Sequence, residues 1–358
     1  MIRIQNIYHM LAYAFQVLRE QGYADVAAEE FDNTAELLAA ILARGVSSQV
    51  KRGLGREYLP RTETLATLRG HIDVTETVKT RAILRRQMVC NFDEFSIDTP
   101  MNRILKATML LLARSDIDKT RRKELRELLV YFADVADIDL AHVDWRLRFN
   151  QNNQAYRMLM NVCWLVAEGL LQTQKDGSVR LADFLDEQRM SKLYEKFILE
   201  YYRREHPGLR AEAPYIKWAL DDGPHGTCVA DGANDALDML PAMHSDVMLS
   251  QGGNMLIIDA KYYAHAIQRH FDKRTYHSGN LYQIFTYVKN KEAELAGTEH
   301  TVSGLLLYAG TDEEAQPSGT YLMSGNRIGV RTLNLDQPFE TISAQLDAIV
   351  EEHFREAQ

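Results

Sequence analysis

The sequence predicts an α/β protein: an α+β first half of helices with a small antiparallel sheet, then a second half built on a mixed central sheet flanked by helices. Three observations predict it. Apolar residues recur at helical spacing over long windows, as at Ile7, Leu11, Ala14 and Leu18. Short runs rich in Thr and Val, broken by Pro60 and Gly70, fill residues 58–95 and read as strands. Two apolar runs around Leu249 and Ile257, joined by Gly252-Gly253-Asn254, read as a β-hairpin, because Gly and Asn supply the positive φ a tight reversal needs. At 358 residues and 46% hydrophobic, the chain is long enough for two cores.

In the first half, Ile2 to Gln21 is expected to form an amphipathic helix, and Thr34 to Ala43 a second one behind the Asp32-Asn33 capping signal. Strand-like runs follow at Tyr58-Leu59, Thr62 to Leu65, His71 to Thr75 and Met88 to Phe92. Helices are expected over Asp98–Ala113, Arg121–Ala133 and Asn153–Leu171. The turn Lys175-Asp176-Gly177-Ser178 marks the boundary, giving domains 1–178 and 179–358. Lys51, Arg52, Arg56, Arg61, Arg69, Lys79, Arg81, Arg85 and Arg86 make the first half locally basic. Charged strand edges that resist aggregation and a surface for a partner both account for them.

The second half opens with a helix from Met190 to Glu205, whose apolar arc holds Tyr194, Phe197, Ile198 and Tyr201. Glu195 and Glu200 fall at opposite edges of that arc, so periodicity does not choose between them. Ala211 to Leu220 reads as a strand interrupted by Pro214, and Asp221 to Asp238 as an acidic loop. Gly304 to Tyr308 reads as a buried strand, and Phe339 to Phe354 as the last helix.

The chemistry concentrates around the hairpin. Asp246 sits on its first strand, and Asp259 and Lys261 end its second, two apart and therefore on one side. Phosphodiester hydrolysis needs a hard cation, and Mg²⁺ takes one or two carboxylates plus waters. A lysine beside it orients the attacking water and stabilises developing negative charge. From Ala260 to Lys291 there are six Lys/Arg against one Asp, in a polar loop containing Arg269, His270, Lys273, Arg274 and His277 and a helical run from Asn280 to Val288. That local basicity suits a polyanion in a chain whose net charge is -9. Gln283 and Tyr287 are four apart and share one helix face.

Asp246, Asp259-Ala260-Lys261 and Gln283-x-x-x-Tyr287 resemble the PD-(D/E)XK nuclease motif and the following helix of its RecB-like branch. Further stretches resemble the McrC family, the nuclease subunit of modification-dependent (type IV) restriction systems: Asn6 to Ala14, Arg52-Gly53-Leu54, Leu68 to Asp73, Asn102 to Lys106, Asp259 to Tyr263 and His277 to Gln283. Pro241 lies five residues ahead of Asp246 rather than beside it, and Asp259 stands where the family usually has glutamate. The resemblance implies a Mg²⁺-dependent endonuclease domain. Asp246, Asp259 and the Ala260 carbonyl would hold the metal and Lys261 would act beside it, with Glu195 preferred over Glu200 as an accessory acid and Gln283 and Tyr287 supporting the site or touching DNA. It also implies an N-terminal domain that docks into a McrB-like AAA+ GTPase ring, stimulates it, and receives double-stranded DNA containing modified cytosine. Two other readings stand beside this one: a noncatalytic GTPase-activating adaptor with a nuclease-like shell, and an autonomous RecB-like DNA exonuclease.

Composition narrows the rest. The three cysteines are widely separated and lack metal-ligand spacing, which suits reduced thiols in the cytoplasm. No apolar run is long enough to span a membrane, and the start lacks signal-peptide order. No G-x-x-x-x-G-K-[ST] phosphate loop occurs, so GTP binding is assigned to the partner.

Overall fold

The computed structural model describes residues 2–15, 26, 29, 31, 33–151, 153–176, 187–220, 239–263, 267–270, 273–310 and 316–354. The chain divides into two compact units, residues 21–184 and residues 1–20 with 185–358. The expected boundary at residue 178 and the expected acidic loop at 221–238 lie outside the described residues. The first helix, α1 (Ile4–Ala14), belongs to the unit that carries residues 185–358, not to the first half in which its place in the sequence predicts it. Long-range bonds explain the difference. Asn6 Nδ2 donates to the Leu335 and Gln337 carbonyls at 2.8 Å each, and the Tyr13 hydroxyl donates to Glu205 Oε1 at 2.8 Å.

In the unit of residues 21–184, α2 (Thr34–Arg52) is capped by the Asn33 side chain, which accepts from the Glu36 N–H at 3.0 Å. It runs past the expected end at Ala43 because Val46 and Gln49 keep its apolar side buried, and it stops at Gly53, whose φ is 88°. β1 (Glu57–Leu65), β2 (His71–Ile72), α3 (Val74–Lys79) and β3 (Met88–Ser96) follow. The sheet order is β1-β3-β2, all antiparallel. Pro60 is tolerated within β1 because β1 is an edge strand. The strand expected to reach Thr75 ends at Ile72, since the Asp73 carboxylate accepts from the Glu76 N–H at 2.9 Å and starts a helix instead. Gly70 turns the chain into β2 with φ 68°, and a Cβ there would meet the Asn91 carbonyl at 2.4 Å.

α4 (Pro100–Ala113) takes Thr99 as its cap. Asp98 is thereby free to bind Arg103 through both oxygens, at 2.7 and 2.6 Å, and to accept from the Ala136 N–H. α5 (Lys119–Leu129) tightens into a 3₁₀ turn over Val130–Phe132, where the sequence suggested one continuous helix. α6 (Tyr156–Asp176) completes this unit.

In the other unit, α7 (Glu187–Glu205) leads into β4 (Arg210–Glu212), β5 (Tyr215–Ile216), β6 (Met243–His244), β7 (Val247–Gln251) and β8 (Asn254–Lys261). β9 (Ile267–His270) and β10 (Lys273–Tyr276) form a small antiparallel hairpin where the sequence suggested a polar loop; its charges masked the strand signal. α8 (Ser278–Glu294), β11 (Thr301–Ala309), β12 (Gly319–Met323), β13 (Asn326–Leu333) and α9 (Phe339–Phe354) close the fold. The central sheet has six strands in the order β12-β13-β11-β8-β7-β4. It is mixed, because β11 runs parallel to both β8 and β13 while the other pairs are antiparallel. Helices flank it. Leu256, Ile257 and Ile258 of β8 are fully buried, as the unbroken apolar run predicts. α8 lies close against β11 because residue 304 is glycine; a Cβ there would meet Ile284 and Val288 side chains at 2.8 Å.

Candidate active site

The register of the β7–β8 hairpin builds the site. The last β7–β8 pair at this end is Val247 with Ile258, so β8 runs three residues beyond its partner while still pairing with β11 as far as Lys261 opposite Tyr308. Asp246 stands at the head of β7. Its Oδ2 accepts from the Ala260 N–H at 2.9 Å, so the carboxylate bonds a backbone group of β8 just beyond the end of the β7 ladder. Asp259 is 1% exposed, and Lys261 Nζ lies 2.8 Å from its Oδ2. That contact is an ion pair, and neither Asp259 oxygen has a further hydrogen-bond donor among the described residues.

Burial sets the electrostatics. Desolvation, with the neighbouring Asp259 charge, pushes the Asp246 carboxyl up to about 7. Desolvation also raises Asp259, against the pull of the Lys261 ammonium. For Lys261 burial works downward, but the Asp259 charge and contact outweigh it, and the net shift is upward. Glu195 on α7 is raised as well, first by burial and then by Asp246, and its Oε1 accepts from the Ser191 hydroxyl at 2.9 Å. Of the two acids the sequence left open, Glu195 is the one placed to feel the charge of Asp246. Glu200, its alternative in sequence, pairs with Arg203 at 2.8 Å.

Gln283 and Tyr287 join the lysine. Lys261 Nζ donates to Gln283 Oε1 at 3.2 Å, and Gln283 Nε2 donates to the Tyr287 hydroxyl at 2.9 Å. Both ends of the Gln283 amide are thus engaged within the protein. Sequence reasoning missed a second chain beside this one: the Tyr263 hydroxyl donates to Asn280 Oδ1 at 3.3 Å, and Asn280 Nδ2 donates to the Tyr308 hydroxyl at 3.0 Å. Tyr308 stands opposite Lys261 in the parallel register, and burial raises its hydroxyl, with Asp259 adding to the rise. Tyr263 and Asn280 lie within the family-like stretches, which was the available signal; Tyr308 is legible only once β8 and β11 are paired.

The donor set suits a hard divalent cation. Buried polar atoms rarely go without a partner, and leaving one unmade costs about 1–3 kcal/mol. Both Asp259 oxygens are buried without a hydrogen bond, Oδ2 having the Lys261 ammonium beside it, and the charges of Asp246 and Asp259 act on each other. Among the described residues no group of three His, Cys, Asp or Glu side chains forms a ready metal cage. A cation that keeps several waters and takes only one or two carboxylates does not require one.

Comparison with known proteins places the chain. Residues 4–309 match the family model described as "McrBC 5-methylcytosine restriction system component". The chain is 30% identical over 358 residues to the "Type IV methyl-directed restriction enzyme EcoKMcrBC" of Escherichia coli (strain K12), covering 99% of each. Two solved assemblies of Thermococcus gammatolerans also align. One is a refined half-complex from a tetradecameric assembly of McrB AAA+ hexamers with bound McrC, at 18% identity and a TM-score of 0.49 over 94% of this chain and 75% of that one. The other is a cryo-EM structure of the McrBC complex, at 22% identity and a TM-score of 0.40 over 56% and 58%. On the family match and the full-length relative, this chain belongs to the family of McrBC 5-methylcytosine restriction system components.

Proposed function

We propose that this chain is the DNA-cleaving subunit of a GTP-dependent restriction complex specific for modified cytosine, working in the cytoplasm. Its fold would be that of a PD-(D/E)XK endonuclease and its reaction phosphodiester hydrolysis in double-stranded DNA. One observation carries the reading: Asp246, Asp259 and Lys261 meet at the free end of β8, and both Asp259 oxygens are buried without a hydrogen bond.

Asp246, Asp259 and the Ala260 carbonyl would hold Mg²⁺, which when bound neutralises the phosphate and makes water a better nucleophile. The chain's own groups do the rest. Lys261 holds its ammonium beside the acids, where it orients the attacking water and offsets charge building on the phosphate oxygens. Gln283, anchored by Tyr287, accepts a hydrogen bond from that ammonium and limits its movement. Glu195, steadied by Ser191, adds a third carboxylate at the margin of the cluster. A core strand holds both Asp259 and Lys261, so their spacing changes little as DNA arrives.

The unit of residues 21–184 would dock into a McrB-like AAA+ ring that binds GTP. Its small sheet supports this with Tyr58 and Phe95 exposed on adjacent strands and Ile83 and Leu84 exposed on the 3₁₀ turn Ala82–Arg85 beside it. The name of the E. coli relative, a methyl-directed restriction enzyme, supports the substrate.

The test mixes the chain with its GTPase and compares methylated with plain DNA. Mg²⁺- and GTP-dependent cutting of the methylated duplex is expected. GTPase stimulation without any cutting would leave the adaptor reading standing, and degradation of DNA ends without GTP would leave the exonuclease.

A further inference from the structure

Asp246 is approached by a two-stranded ribbon that the proposed chemistry does not use. β5 and β6 pair antiparallel, Tyr215 with His244 and Ile216 with Met243. One face of the ribbon is sunk in the core through Ile216 and Met243. The other face carries Tyr215 and His244, and Lys217 follows directly after β5; all three are exposed. Tyr215 is 73% exposed, and its ring meets the His244 imidazole edge-on with centroids 4.9 Å apart.

The ribbon is held at both ends. The Pro214 carbonyl accepts from both the N–H and the hydroxyl of Ser245 at 3.2 Å, and Trp218 Nε1 donates to the Pro241 carbonyl at 2.8 Å. Asn290 of α8 accepts from the Ala219 N–H at 2.7 Å. An aromatic ring that is displayed on a pinned platform loses little freedom on meeting a ligand. His244 is only two residues from Asp246, a span of at most about 7 Å, or roughly two base-pair rises along one DNA strand. Glu212, earlier on the same run, is paired with Arg210 at 2.9 Å.

We infer that the exposed face of Tyr215, Lys217 and His244 is a seat for the DNA backbone next to the proposed cleavage site. Lys217 pairs with a phosphate, His244 donates to one, and the Tyr215 ring packs against a deoxyribose of the strand that enters between the acids. The inference rests on the nuclease reading and adds the surface that delivers substrate to it.

The test uses the full chain with a fluorescein-labelled duplex, read by anisotropy in Ca²⁺ over a salt series and then by cleavage with Mg²⁺, GTP and the GTPase. Lys217→Glu is expected to weaken binding at least fivefold and to flatten the dependence of log K on log salt by about one. Tyr215→Ala should raise KM several-fold with little change in kcat, and Tyr215→Phe should restore it, because the ring rather than its hydroxyl makes the contact. Wild-type affinity, salt slope and KM in both Lys217→Glu and Tyr215→Ala, in proteins that melt like the wild type, overturn the surface while the nuclease reading stands. A wild type that neither binds nor cuts DNA overturns both.

Discussion

At the end of β8, Lys261 and Asp259 form an ion pair whose acid is 1% exposed, whereas on the three-stranded sheet Arg61 and Glu94 pair at 3.1 Å in the open. The distances are similar and the consequences are not. Water screens the second pair, which contributes about 0–1 kcal/mol. The first sits where charge is costly, so every acid near it is displaced upward and two oxygens go without hydrogen bonds. One sheet concentrates buried charge at a strand end; the other shows apolar and basic groups to its surroundings. At its 3₁₀ turn, Arg81 and Arg86 both have positive φ, 52° and 55°, and hold Ile83 and Leu84 outward while Ala82 is buried.

The sharpest way to break this contrast is to remove the buried charges. Asp259→Ala and Lys261→Ala should each reduce cleavage about 10²-fold or more while GTPase stimulation by the chain persists. Loss of both activities together, measured on one preparation, would show that the two sheets do not have separate roles. The reciprocal change, Ile83→Glu with Leu84→Glu, should lower GTPase stimulation about tenfold and carry GTP-dependent cleavage down with it, without moving the melting temperature by more than a few degrees. Stimulation at wild-type level in that double variant would remove the docking role of the exposed turn.

The Asp246 carboxyl is raised from 3.8 to about 7, so the folded state holds a proton that the unfolded chain releases. Its contribution to stability is complete below about pH 4 and is lost as pH rises through about 7. Without divalent ions, the melting temperature of Asp246→Asn should therefore gain on the wild type between pH 5 and pH 8, by roughly 5 °C, and Mg²⁺ should stabilise the wild type more than the variant. Parallel melting curves across that range would contradict the buried-acid account. The smallest effect belongs to the open pair: Arg61→Ala should shift stability by under about 0.5 kcal/mol, and a larger loss in denaturant titration would mean that exposure misrepresents that sheet.

Local rules made much of this legible. Period two put Asp259 and Lys261 on one side of a strand, and the helical period brought Gln283 and Tyr287 together; both pairs interact directly. Capping chemistry marks Asn33 and the start at Asp98-Thr99-Pro100, where Thr99 caps and Asp98 serves Arg103. It was overlooked at Asp73, where a short helix replaces the end of an expected strand.

By itself the sequence determined the α/β class, the hairpin at Gly252-Gly253 and the side of the strand on which the acid and lysine lie, because each depends on residues a few positions apart. Only the tertiary structure decided that Asp246 binds the Ala260 amide, that Gln283 reaches Lys261, that Glu195 rather than Glu200 senses the acids, and that α1 packs with residues 185–358. Those outcomes depend on strand register and on which helix covers which strand. Such long-range choices are fixed by the burial of whole faces, and no local window of residues records them.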